Sequence, residues 1–537
     1  MRARQRISRL DPQSRRLHHV RMGSSSLEPP SPSRRHLGAW ARLLLWAGST
    51  LVALALFLYF ALDRRGQALW DEHLAELESA GRTIDPARLF APAHSGTFWG
   101  DAALGAVAEN QINLDKRFQE IFATDPNFDE GTYWADLGKV ASRFHLDHGN
   151  TTPLDRYFPG ADLSSKEAAA RLLSLLDEFE SELTDFRSAL RGDPSSSLLE
   201  GQEPQIPEIE PFTASIRFNR ASNLRMVCLL EVGRVEEALA EIEDLLRLSA
   251  HLRFDGLLVN DAVATSVANS TLRSIHRSLD RSVWTPEQLD ALGCLLADAI
   301  PDRSEFDRIL QREFSFLETF FSKHLERRGK RDETGYYAYD IPESIRRPGW
   351  LPGRALDALG TADVLVWQYL PYGAFRMSTI ELHRWAFGAL LDPEIPLAER
   401  VDDLGPLADF DGERWFRNPA NDLILAIATT CGRCLRQHEE SRTLLEMARV
   451  AAAAERHRLE TGRNPMNWDE IVPRWLAEIP DDPWTEGRLR YRLDRGGRPI
   501  IYSVGGNGTD EGGIPTRSWK EGDLVWRYST ATGTENP

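Results

Sequence analysis

The run LLLWAGSTLVALALFLYFAL, Leu43 to Leu62, restricts this chain more than any other feature. Its twenty residues carry no charge, and as a helix they extend about 30 Å, the thickness of a bilayer core. Trp40, Trp46 and Tyr59 sit near its two ends, where amphipathic rings favour the membrane interface. Residues 1–42 hold ten arginines and no lysine against only Asp11 and Glu28, a net +8, in a Ser-, Pro- and Arg-rich context that predicts a disordered tail. Positive charge before the span places that tail in the cytoplasm and everything after Leu62 outside. The expectation is a single-pass signal-anchor in a bacterial inner (cytoplasmic) membrane. A cleaved signal peptide is the rival reading, and SRRHLG (Ser33–Gly38) is similar to a twin-arginine export signal. Against cleavage, the run exceeds a usual h-region and no A-x-A site follows it.

The chain's formal charge is −17, so the residues after 42 carry −25. So acidic a body argues against nucleic acid as a partner and leaves the membrane and unidentified proteins. A hydrophobic content of 42% with 27% charged residues is that of globular protein with real cores. Four cysteines do not make a disulfide scaffold. Cys431 and Cys434, in TTCGRCL, have redox-motif spacing, but the preceding NDLILAIATT reads as helix, so the pair is expected to be inert.

Residues 63–440 predict an α-helical ectodomain built from hairpins. LWDEHLAELESAGR places apolar residues on one helical face, and SKEAAARLLSLLDEFESELTDFRSALRG continues to a stop at Gly192. A proline- and acid-rich stretch, Asp193–Phe212, reads as a linker. Two helices are expected to meet at Gly233, the second, GRVEEALAEIEDLLRL, similar to one half of a tetratricopeptide hairpin. Further helices are predicted at 259–280, 286–299, 303–327, 376–390 and 421–460. His145, Asp147 and His148 could contribute to a metal site only with a third ligand from elsewhere. No phosphate-loop, zincin or serine-nucleophile motif is present.

The final module, residues 441–537, changes character. After the long helix come a short helix NWDEIVPRWL, DPW, and strands RLRYRLD and RPIIYSV about a Gly-Gly turn. The loop GGNGTDEGG and a last strand GDLVWRYS follow. The loop opens into no helix, which removes a phosphate cradle. A helix ending RHRLETGRNP, then DPW, the strand pair and a Gly/Asp loop after IIYSVG resemble the C-terminal globular domain of type II secretion major pseudopilins, over about residues 441–530. The whole chain also looks like membrane-anchored proteins of unknown function from planctomycete-type bacteria. The resemblance implies a small α+β module whose loop holds calcium. The implied ligands are the carbonyls of Val504 and Thr509, the side chain of Asn507 where the family has Asp, and Asp523, with Asp510 as an additional candidate. The residues alone are equally a hairpin loop without an ion. Departures are clear: AWARLLLWAGST lacks the family's early glutamate, and a long helical region precedes the module.

The fold class expected is therefore mainly α, with a transmembrane helix, a helical-hairpin ectodomain and a pseudopilin-like α+β end. The function expected is that of a non-enzymatic, membrane-anchored cell-envelope protein presenting an interaction surface. The alternatives are an accessory component of a type II secretion-like apparatus, and an enzyme with a pocket between helices near Tyr336–Phe375.

Overall fold

The computed structural model describes residues 34–89, 161–191, 209–254, 256–302, 304–326, 372–402, 407, 419–485, 487–515 and 522–527. His145, Asp147, His148 and most of Tyr336–Phe375 lie outside them. The protein is mainly helical. Its chain divides into two units, Met1–Ala61 and Leu62–Pro537.

The first helix, α1, runs Arg34–Ser79, so the apolar run and the amphipathic LWDEHLAELES share one element. Nothing in the sequence breaks it before Gly81, where a left-handed glycine (φ 74°) closes the helix and the Arg82 amide reaches back to the Leu77 carbonyl at 2.9 Å. Along the apolar run large side chains stand in the open: Trp46 is 74% exposed and Phe57 68%.

In the second unit, short helix α2 (Pro86–Leu89) is followed by α3 (Ser165–Leu176) and α4 (Glu180–Leu190). α3 starts on a capping box, with Ser164 and Glu167 satisfying each other's amides at 3.3 and 2.9 Å. The single long helix expected from Ser165 to Gly192 is instead interrupted by a 3₁₀ turn at Asp177–Phe179. There the acids DEFE crowd one turn, and Asp177 leaves the stripe to take Arg225 at 2.6 Å. Helices α5 (Ile209–Val232) and α6 (Val235–Phe254) meet at Gly233, whose φ of 85° suits glycine at so tight a corner. α5 starts inside the stretch read as a linker. α7 (Leu258–Asp280), α8 (Pro286–Ala299, capped by Thr285 and Gln288), α9 (Glu305–Glu326) and α10 (Tyr372–Arg384) follow. α10 widens into a π turn at Trp385–Leu390, α11 is Leu397–Asp402, and α12 is Pro419–Thr461.

α12 holds the unit together. Ile424, Ala428, Cys431 and Leu435 of its first half enter one core with Trp70 and Leu77 of α1, Phe306 and Phe314 of α9, and Trp385. Its second half, Leu444 to Ala454, enters another core with α3, α5–α8 and the sheet. The predicted short helix NWDEIVPRWL is only a 3₁₀ turn, Trp468–Glu470, because Pro473 has no amide to continue the ladder.

Three strands, β1 (Arg490–Leu493), β2 (Pro499–Ser503) and β3 (Leu524–Arg527), form an antiparallel sheet in chain order. Ile501 lies opposite both Tyr491 and Trp526. Strand alternation turns Ile501, Leu524 and Trp526 towards the α12 core while Ile500, Tyr502 and Val525 pack on the opposite face. The sheet therefore shares its core with the helices of the ectodomain, and position 441 falls within α12.

Candidate functional site

Two places in the second unit concentrate polar groups: the loop between β2 and β3, and the interface of α7 with α12.

β2 ends at Ser503, and the chain turns through a 3₁₀ segment, Gly505–Asn507, to Gly508 in the left-handed region. A side chain at Gly505 would meet the Gly522 carbonyl at 2.7 Å, so the two ends of the loop touch backbone to backbone. Asp482 of the DPW segment pins the start. Its buried carboxylate accepts Ser503 Oγ at 2.7 Å, the amides of Val504 and Trp484 at 3.1 Å, and Arg490 Nη1 at 3.2 Å. Burial still pushes the Asp482 carboxyl above its usual value, against those bonds.

Asp523 closes the other end. Its carboxylate is buried and accepts the amides of Gly513 at 2.6 Å, Ile514 at 3.2 Å and Glu511 at 3.4 Å. Burial is the main force raising its pKa; the three amides oppose it, and the neighbouring Glu511 carboxyl adds to it. Glu511 Oε1 accepts the Asn507 amide nitrogen at 2.6 Å, while its Oε2 is buried without a hydrogen-bond partner. Asn507 Oδ1 accepts the Thr509 amide at 3.0 Å.

Of the five residues picked from sequence, the structure thus joins Asn507 and Asp523 through Glu511, which sequence reading passed over. Thr509 belongs to the same turn through Asn507. Val504 lies with its side chain in the core around the first half of α12 and its amide on Asp482. Asp510 turns away to Arg490 Nε at 2.8 Å; although burial opposes it, the Gly512 amide, Tyr502 and Arg490 hold its carboxyl below the usual range. An acid directly before a glycine pair was the signal available for Glu511, but only the fold shows which of the adjacent acids turns inward.

The α7–α12 interface holds a second constellation. Asp261 Oδ1 accepts His438 Nδ1–H at 2.9 Å, and Arg253 Nε lies 3.5 Å from the same oxygen. All three are almost fully buried. Burial disfavours the imidazolium, but the charge and hydrogen bond of Asp261 outweigh it and raise the His438 pKa. Nε2 of His438 has no partner, so no hydroxyl or thiol among the described residues completes a nucleophilic triad. Four residues back on α12, Cys434 is buried and its thiol is pushed up to about 12 by burial and by Asp261 and Glu313. Cys431 is raised for the same principal reason. Such thiols are protonated at neutral pH and poor nucleophiles.

No family model matches the chain, and neither does any curated protein or solved structure. Among the described residues, no three of His, Cys, Asp and Glu converge in a group that could hold a metal ion. Helix α1 is long and apolar enough to cross a membrane, with none of its most apolar window buried by protein.

Proposed function

We propose that the protein is a non-enzymatic, single-pass anchored envelope protein. Its N-terminal tail lies in the cytoplasm of a bacterial inner membrane, and its helical ectodomain presents an interaction surface outside. The observation that carries this reading is the exposure along α1: Trp46, Phe57 and Phe60 offer rings that are 63–74% exposed. Aromatic and aliphatic side chains so exposed on one helix call for an apolar solvent rather than water. The +8 of the preceding tail gives the orientation. A reporter active only outside the cytoplasm, fused at Pro537, is expected to be active. Activity of a cytoplasm-only reporter at that position overturns the orientation, and release of a soluble chain beginning near Ala61 overturns the anchor.

The pseudopilin-like character of the last strands remains part of this proposal, supported by three strands in the expected order beside the end of a long helix. Calcium in its loop is supported by the donor set. Asp523, Glu511 and Asn507 supply oxygen ligands, two of them carboxylates set together, and Glu511 Oε2 lacks a donor. A hard cation takes such oxygens and would relieve the repulsion between the two acids. The residues that would hold it are therefore Asp523, Glu511 and Asn507, with Asp510 engaged by Arg490. At about ten times its dissociation constant, calcium should slow amide exchange in residues 504–515 roughly tenfold. Magnesium should do less, and Glu511→Gln should remove most of the effect. Equal exchange with calcium and with chelator leaves a loop closed by Asp523 alone.

A further inference from the structure

Past Leu62, α1 becomes one wall of a three-helix seam. Asp63 Oδ1 accepts the Gly373 amide at 2.9 Å and so satisfies an open donor at the start of α10. Three residues on, a Cβ at Gly66 would collide with the Gly373 backbone, so the two chains touch directly. From there α10 runs parallel to α1, with Arg376 over the Trp70 ring and Arg384 reaching Glu76 at 3.4 Å. α9 lies antiparallel to both, Asp307 meeting Arg82 at 3.0 Å and Glu318 meeting Arg376 at 2.9 Å.

Two histidines stand in the middle of this seam. His73 of α1 and His383 of α10 are 2% and 0% exposed, and His73 Nε2 lies 3.2 Å from His383 Nδ1. Trp70, Phe314 and Phe387 close round them from three elements, Phe314 stacked on His383 with centroids 4.4 Å apart. On the outer side His73 Nδ1 faces Glu76 Oε2 at 3.4 Å. His383 Nε2 is buried and has no hydrogen-bond partner among the described residues. The other charges round the cage are engaged elsewhere. Arg384 lies between Glu76 and Glu381, Arg376 is held by Glu318, Arg82 by Asp307, and Glu313 takes the Leu258 amide. α12 brings Ile424, Ala428 and the protonated thiols of Cys431 and Cys434 to the same core.

Between two ring nitrogens at that distance there is room for one hydrogen. The pair can be neutral, or it can hold one extra proton as an imidazolium on His73, beside Glu76, with His383 as acceptor. A second extra proton sets N–H against N–H and two like charges in contact inside an apolar cage. Burial resists charge on both rings; at His73 the Glu76 carboxylate works against it, and His383 has no carboxylate of its own.

We propose that the α1–α10 seam is an acid-operated latch, shut while the His73–His383 pair holds at most one extra proton and released by the second. Release lets α9 and α10 part from the helix that enters the membrane. The exposure of the latch to external pH rests on the orientation proposed above, whereas its response to protons does not.

The test is amide exchange of the full chain in detergent at pH 7.5 and pH 5, with rates corrected for the intrinsic effect of pH. It is independent of the reporter fusions, so a wrong orientation and a wrong latch give separate results. If His383 must stay neutral in the closed seam and titrates near 6.5 once open, opening rises about thirtyfold over that interval, and further if His73 adds to it. Residues 67–79 and 373–384 should show that rise, and α8, in the other core, should not. His383→Gln keeps a neutral polar side chain that takes up no proton, and should leave the seam equally protected at both pH values. Glu76 is half exposed, so Glu76→Gln should fold even if that variant does not. Without the carboxylate that favours the first proton, it should open more steeply with acid than the unmodified chain. The latch is overturned if the seam keeps its protection at pH 5 or if α8 loses protection in step with it. It is equally overturned if His383→Gln opens like the unmodified chain, or if Glu76→Gln opens no more steeply.

Discussion

Asp482 illustrates how much one carboxylate can organise. Its four donors come from the DPW turn, β1 and the end of β2, so it fixes where the glycine loop begins. Asp482→Ala leaves several buried donors unpaired and should cost about 2–4 kcal/mol in chemical denaturation. Asp482→Ser, able to keep one bond, should recover a part of that. The cysteines give a second expectation at this scale. Cys228, Cys431 and Cys434 are buried and Cys294 is exposed. A thiol reagent at pH 7 should therefore titrate one group promptly and the other three only on unfolding. Burial raises the Cys228 pKa as it does that of the α12 pair, so prompt reaction of a second thiol would mean that α5 or α12 opens in the native state.

At the scale of elements, α12 is the piece on which the rest depends. Its run ARVAAAAE puts Ala451, Ala452 and Ala454 in the core it shares with α8 and the sheet, each buried to 2% exposure or less. Small side chains there set the distance between helices, so Ala451→Leu should overpack and destabilise by about 1–3 kcal/mol, read as a lower denaturation midpoint at unchanged slope. The helices from 258 to 326, and α12 itself, could be placed from sequence within about three residues, because apolar periodicity and strong caps such as Thr285–Gln288 are local signals. The three strands were equally visible, each a short β-branched or aromatic run near glycine turns. What could not be read was anything decided by distant partners. The turn inside Ser165–Leu190 answers to Arg225, and Pro473 cancels a helix that its neighbours favour. Asp261 meets His438 across 177 positions. In the candidate loop, the residue types were legible, but the choice of Glu511 over Asp510 depends on Arg490 arriving from β1.

Across the whole molecule, several ionisable groups are held where their charge is disfavoured, and their sum sets how stability varies with pH. Glu313, half-buried, accepts only the Leu258 amide, and burial pushes its pKa up to about 7. Glu440 is buried and raised to about 7 by the same cause, against the attraction of Arg436. His438 is raised by Asp261 despite burial. A group whose folded pKa lies above its unfolded value contributes stability that is complete below the unfolded pKa. That contribution is lost as pH rises through the folded pKa. His73 and His383, whose rings approach to 3.2 Å, are depressed chiefly by burial, so their contribution is lost only as pH falls below about 6.5. The two sets oppose each other on the acid side but not between pH 6.5 and 8, where the raised groups act alone. Stability of the full chain should therefore fall across that interval, and Glu313, which has already lost most of its contribution between its unfolded pKa and pH 6.5, should account for roughly 1 kcal/mol of the change. Glu313→Gln keeps a neutral side chain of the same shape, so it should leave stability near pH 4 little altered and raise it at pH 8, flattening the profile. A variant that tracks the unmodified chain at both pH values would show that the Glu313 carboxylate ionises in the fold without cost.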